Sequence, residues 1–208
     1  MLSRLQRGDT LIEVLFAVTV FSMVIVGALT IMNQGTAAAQ CSLEITLVRQ
    51  QIDSQADTLR FMHDSYVAAY RPGISFNLGD GTTSPAEEWY RMIRSSAMVA
   101  NADEFNDGAS QCEAAPTRSF VVNPRTARFM NDPALKQQSQ SFSQLLYRPD
   151  GTFTAEGLWI QGVRSQASPD PLQSSVGYID FHIRACWDSP GAGAPMRSGT
   201  IVRLYEPR

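Results

Sequence analysis

Apolar residues crowd the start of this chain and then thin to a stripe. From Val14 to Met32 run 19 residues without a charge. As a helix rising about 1.5 Å per residue they would reach about 28 Å, close to the thickness of one bilayer core. From Ile45 the apolar positions recur at Val48, Ile52, Leu59, Met62 and Tyr66, offsets of 3, 4, 7, 3 and 4 that trace one helical face. No proline interrupts Met1 to Arg71, so the pattern predicts one helix from about Thr10 to Tyr70, about 90 Å long, stopped by Arg71-Pro72-Gly73. Its first half is apolar all round and its second half only along a stripe. That change separates a segment suited to lipid or to a bundle of helices from one suited to packing on a sheet.

The remainder alternates turns with short elements. Ser84-Pro85-Ala86-Glu87 has the form of a capping box with proline at the first helical position, opening a short helix with Trp89, Ile93 and Ala97 on one face. Glu87 and Glu88 suit the positive end of that helix. Strand signals follow at 119–123, at 145–147 and 152–154 around the turn Pro149-Asp150-Gly151, and at 158–161. The clearest alternation sets Ile179, Phe181, Ile183, Ala185 and Trp187 against Tyr178, Asp180, His182, Arg184 and Cys186, one apolar face and one largely polar. Thr200–Tyr205 is its expected hairpin partner. Strands that follow the helices and are linked by turns predict an α+β protein with an antiparallel sheet.

One residue breaks the N-terminal pattern. Glu13 stands at the mouth of the apolar run, after Leu11 and Ile12, where an unpaired carboxylate costs about 2.5–3.5 kcal/mol on insertion scales. The nearby cations, Arg4 and Arg7, lie upstream and suit a cytoplasmic flank. A cut after Gly8 would place a new α-amine on Asp9, four residues before Glu13, and supply the missing cation within the chain or to a neighbouring copy. Glu13 would then be an assembly device.

Gly8-Asp9-Thr10-Leu11-Ile12-Glu13-Val14, with its basic flank and apolar continuation, resembles the prepilin signature of type IV pilins and pseudopilins. The resemblance implies removal of residues 1–8 by a prepilin peptidase, N-methylation of Asp9, and polymerisation through a helix at 9–71 whose part at about 11–32 spans the membrane. It further implies a globular head at 72–208 whose sheet wraps the outer half of the helix. The chain departs from the family at Asp9, where an aromatic is usual; such variation is tolerated better in minor subunits and favours a minor role. Implied partners are other pilin subunits, the peptidase, the pilus assembly machinery and the membrane before assembly. The implied location is a single pass in the cytoplasmic membrane with the head outside, then the cell surface, with adhesion, twitching motility, secretion and competence as the associated processes.

Composition adds limits. The chain carries −3 overall and −5 once Arg4 and Arg7 are removed, so no global charge favours nucleic acid or anionic lipid. Cys41, Cys112 and Cys186 are too far apart for a zinc knuckle or a CxxC pair. A disulfide between Cys112 and Cys186 is expected in a domain outside the cytoplasm, with Cys41 left as a thiol; three buried thiols, or a pairing through Cys41, are the alternatives. His63 and His182 lack neighbours at ligand spacing, and Asn77, Asp80 and Asp107 lack calcium-loop spacing. No catalytic motif, metal site or cofactor is expected. Two competing functions are a tethered extracellular binding module or enzyme, and a pseudopilin of a type II secretion or DNA-uptake machine. A secretory signal cut near Ala37-Ala38-Ala39 is a weaker alternative, since it leaves Glu13 without a purpose.

Overall fold

The structure, a computed structural model, describes residues 6–71, 84–100, 105, 116, 118–131, 157–165, 177–187 and 194–207, with side chains in the first stretch from Leu11 onward. Helix α1 spans Gln6–Ala69 and α2 spans Pro85–Ile93. Strands follow at β1 (Val121–Asn123), β2 (Arg128–Met130), β3 (Gly157–Ser165), β4 (Tyr178–Trp187) and β5 (Met196–Tyr205). The strand segments expected at 145–147 and 152–154 lie outside the described residues, as do Asn77, Asp80 and Asp107. By compactness the chain divides into Met1–Leu43 and Glu44–Arg208. The second unit therefore includes the C-terminal turns of α1.

Within the N-terminal unit, every described residue from Leu11 to Thr36 is exposed. Four hydroxyls that would be a burden in lipid are bonded back to the helix: Thr19 to the Phe16 carbonyl (2.8 Å), Ser22 to Val18 (2.7 Å), Thr30 to Val26 (2.9 Å) and Thr36 to Asn33 (2.9 Å). Their polar atoms need no water, as a segment in a bilayer requires. Gly27 and Gly35 are accommodated within α1.

The second unit is α+β. Its sheet has the order β3-β4-β5, all antiparallel, with Ile160 opposite Ile183 and Val202 opposite Phe181. The stripe of α1 is buried as its spacing predicts, with Leu59 and Met62 fully enclosed. It forms one cluster with Trp89 and Met92 of α2 and with Ile179, Phe181 and Ile183 of β4. The Trp89 and Phe181 ring centroids are 5.5 Å apart. On the other sheet face Asp180 takes a bidentate pair from Arg203, at 2.8 Å to each oxygen, which raises the Arg203 pKa above its ordinary value. The His182 and Phe105 rings meet there at a tilt of 33°, with 4.4 Å between centroids.

β1 and β2 form a separate hairpin with Val122 opposite Phe129, turned through Ala127, which has φ of 51°. β2 has no counterpart in the sequence pattern, because three residues are too few to show alternation. Phe120, just before β1, exchanges backbone bonds of 2.9 and 2.8 Å with Ile160 of β3, joining the hairpin to the main sheet.

The capping box at α2 forms as its residues predict: the Glu87 amide donates to Ser84 Oγ, and the Ser84 amide to Glu87 Oε2 at 2.7 Å. Two details differ from expectation. The helix ends at Ile93, so Ala97 is buried beyond it and not on its face. Glu88 turns into the core, 1% exposed, where it accepts from the Phe129 amide at 3.1 Å and pairs with Arg91. Its role is to dock a strand as well as to complement the helix end.

Candidate functional site

The site with the strongest chemical asymmetry is the start of α1. Gly8 and Asp9 fall in its first turn, where backbone amides lack partners one turn upstream. Asp9 and Glu13 are four residues apart, hence on one face and separated by about 6 Å along the axis. Glu13 is exposed, and no hydrogen bond or ion pair engages it among the described residues. Around it Leu11, Ile12 and Phe16 are 64%, 69% and 70% exposed. A solitary carboxylate beside an uncharged run whose hydroxyls are bonded back to the helix can enter a low-dielectric environment only by gaining a proton or a cation. An α-amine created at Asp9 would be such a cation.

The helix bearing this site is the one helix among the described residues long and apolar enough to cross a membrane. Together with the motif below, it fits membrane anchoring. Of the cysteines, Cys186 is fully buried and disulfide-bonded. Cys41 is a free, half-buried thiol. Cys112 lies outside the described residues.

The second unit, Glu44–Arg208, holds features that the sequence pattern did not show. Gln55, on the buried stripe of α1, donates through Nε2 to the Val122 carbonyl at 2.7 Å and accepts the Val122 amide at Oε1, 3.0 Å away. With Glu88 and Arg91 on Phe129, both outward edges of the β1–β2 pair are met by side chains. The signal was a glutamine in phase with Ile52 and Leu59. An open cleft of about 710 Å³ runs between α1 and the β1–β2 turn, edged by Asp53, Asp57 and Arg125. A smaller cavity of about 190 Å³ lies among His63, Tyr66, Trp89 and Tyr205. His63, expected to be structural, has Nε2 2.8 Å from the Tyr205 carbonyl and Nδ1 3.3 Å from Asp64. No three His, Cys, Asp or Glu side chains gather as metal ligands among the described residues.

Comparison with known proteins bears on the start of α1. Residues 3–29 match the family model described as the prokaryotic N-terminal methylation motif. No curated protein and no solved structure matches the chain. The motif implies processing by a prepilin peptidase and assembly into pilus-like filaments, and the family that carries it is structural. The matched segment holds Arg4, Arg7, Gly8, Asp9, Glu13 and most of the uncharged run; the chain thus carries the prepilin signature of the type IV pilins and pseudopilins.

Proposed function

We propose that this protein is a structural subunit, of the minor class, of a type IV pilus-like filament, and that it acts by assembly and not by catalysis. The observation that carries the reading is Glu13, a lone exposed acid on a helix whose every described residue through Thr36 is exposed. Residues 1–8 are the leader, 9–71 the assembly helix with about 11–32 in the membrane, and 72–208 the head outside the cytoplasmic membrane. Cleavage between Gly8 and Asp9 creates the amine, which is the candidate for N-methylation. That amine pairs with Glu13 of its own or an adjacent subunit and sets the register. Filament neighbours replace lipid around Leu11–Met32, so the apolar surface is covered at every stage. In the head, Cys112 is the proposed partner of Cys186, since Cys41 is free.

Intact-mass measurement on the protein from its native host tests the cleavage. The expected mature chain begins at Asp9, with one methyl group and one disulfide, and Cys41 open to alkylation. A chain beginning at Met1 or Gln40 in finished filaments would refute the reading. Glu13→Leu separates anchoring from assembly: insertion is retained while incorporation into filaments is lost. Unchanged incorporation would remove Glu13 from the mechanism.

A further inference from the structure

The smaller cavity of the second unit is lined by aromatic and aliphatic side chains and one carboxylate. Tyr66 and Tyr70 from α1, Trp89 from α2 and Tyr205 at the end of β5 line a cavity of about 190 Å³, together with Ile93 and Leu204. The rings meet at angles: Tyr66 and Tyr70 at 5.8 Å and 55°, His63 and Trp89 at 5.1 Å and 71°. Rings at these angles do not form the flat platform, flanked by many hydrogen-bonding groups, that a sugar calls for. Glu206 is the one charged side chain of settled sign lining the cavity, and no Lys or Arg lines it. Aromatic rings, whose faces carry negative potential, and a carboxylate line the same space.

Two further observations agree. The Tyr66 hydroxyl holds its proton above the ordinary range because of burial and because Tyr70, Tyr90 and Glu206 are near. Arg94 already lies over the Tyr90 ring, 5.3 Å from its centroid, and Tyr90 stacks on Tyr66. The outer face of the cluster therefore takes a cation. Arg164 approaches Glu206 at 3.5 Å from the rim while bonded to the Ile93 carbonyl. Both side chains of that pair are partly exposed, so it is screened.

We propose that this cavity is a binding site for a small organic cation of the methylated-ammonium class, such as the trimethylammonium group of a choline-like solute or lipid headgroup. A bare ammonium would lose hydrogen bonds to water that the apolar walls, including Ile93 and Leu204, do not replace. A methylated one has none to lose and spreads its charge over methyl groups that fit the ring faces. The proposal is independent of the filament reading.

Titration calorimetry on the full chain in a maltoside detergent tests it, with tetramethylammonium, choline and the uncharged isostere 3,3-dimethylbutan-1-ol. Both cations should bind saturably, and choline about tenfold tighter than the isostere. Tyr205→Ala and Glu206→Gln, at exposed positions that leave the core intact, should each weaken choline by about three- to tenfold. Equal binding of the isostere would show a merely apolar pocket and overturn the proposal, as would the absence of saturable heat with either cation. Glycerophosphocholine distinguishes the sources: binding as tight as choline assigns a lipid headgroup, and binding much weaker assigns a free solute.

Discussion

Two parts of α1 hold similar side chains under opposite conditions. From Leu11 to Thr36 nothing is buried, and Met23 is 80% exposed; from Val48 to Tyr66 the apolar stripe is closed over, with Met62 at 0%. Hydrophobicity alone does not separate them, but periodicity does. A stripe of period 3.6 with a polar back has its partner in the same chain. An apolar surface on all sides cannot be covered by one sheet, so its partner is lipid or other helices. The first part is apolar surface left exposed among the described residues, and the second part is core.

The sharpest way to break this division is to truncate apolar side chains in both parts. Leu59→Ala should cost the head about 2–5 kcal/mol, the range for a fully enclosed leucine, and lower its unfolding temperature by many degrees. Val18→Ala and Leu29→Ala, at positions 55% exposed, should leave head unfolding unchanged. Circular dichroism melts of the three variants in detergent measure the contrast. Similar losses from all three would mean that the N-terminal part is also core.

A second, smaller effect probes the seam between helix and hairpin. Gln55→Ala leaves the Val122 amide and carbonyl buried without their partner, a loss of about 1–3 kcal/mol. Gln50→Ala, exposed on the same helix, should fall within about 0.5 kcal/mol of the parent. Urea titration of both variants decides this. Equal midpoints would show that the hairpin is held by its apolar side chains alone.

These cases show which parts of the molecule could be read in advance. The helix stripe, the Ser84–Glu87 capping box and the β4 alternation are local patterns, each set by neighbours within a few residues, and all three are present in the structure. The motif at the start of α1 was legible for the same reason, being one contiguous segment, and it matches the family model over residues 3–29. The docking of Gln55 on Val122 and Glu88 on Phe129 joins residues 67 and 41 positions apart. Nothing in the spacing of a single element reports such a meeting. Glu88 was legible as a helix-end acid, and its burial was not. The aromatic cavity was hidden for the same reason, its walls coming from α1, α2, β4 and β5. Only the one-turn spacing of His63, Tyr66 and Tyr70 hinted at it.

The smallest effect sharpens the comparison through pH. Tyr66 belongs to the finished core, and residues 11–43 contain no tyrosine, so an alkaline response of this kind belongs to the head. Burial, with Tyr70, Tyr90 and Glu206 nearby, raises the Tyr66 pKa above its usual 10.0. Above that ordinary value the unfolded chain gives up the proton while the folded chain keeps it, so the unfolded state binds fewer protons and stability falls with rising pH. The contribution is fully present below about pH 10 and is lost as pH climbs through the raised pKa. Tyr66→Phe should therefore lose stability less steeply than the parent between about pH 9 and 11. Because slopes are compared, any offset from the missing hydroxyl at neutral pH cancels. Parallel curves would mean that Tyr66 ionises in the folded head as readily as in water, and that the core around it is open to solvent.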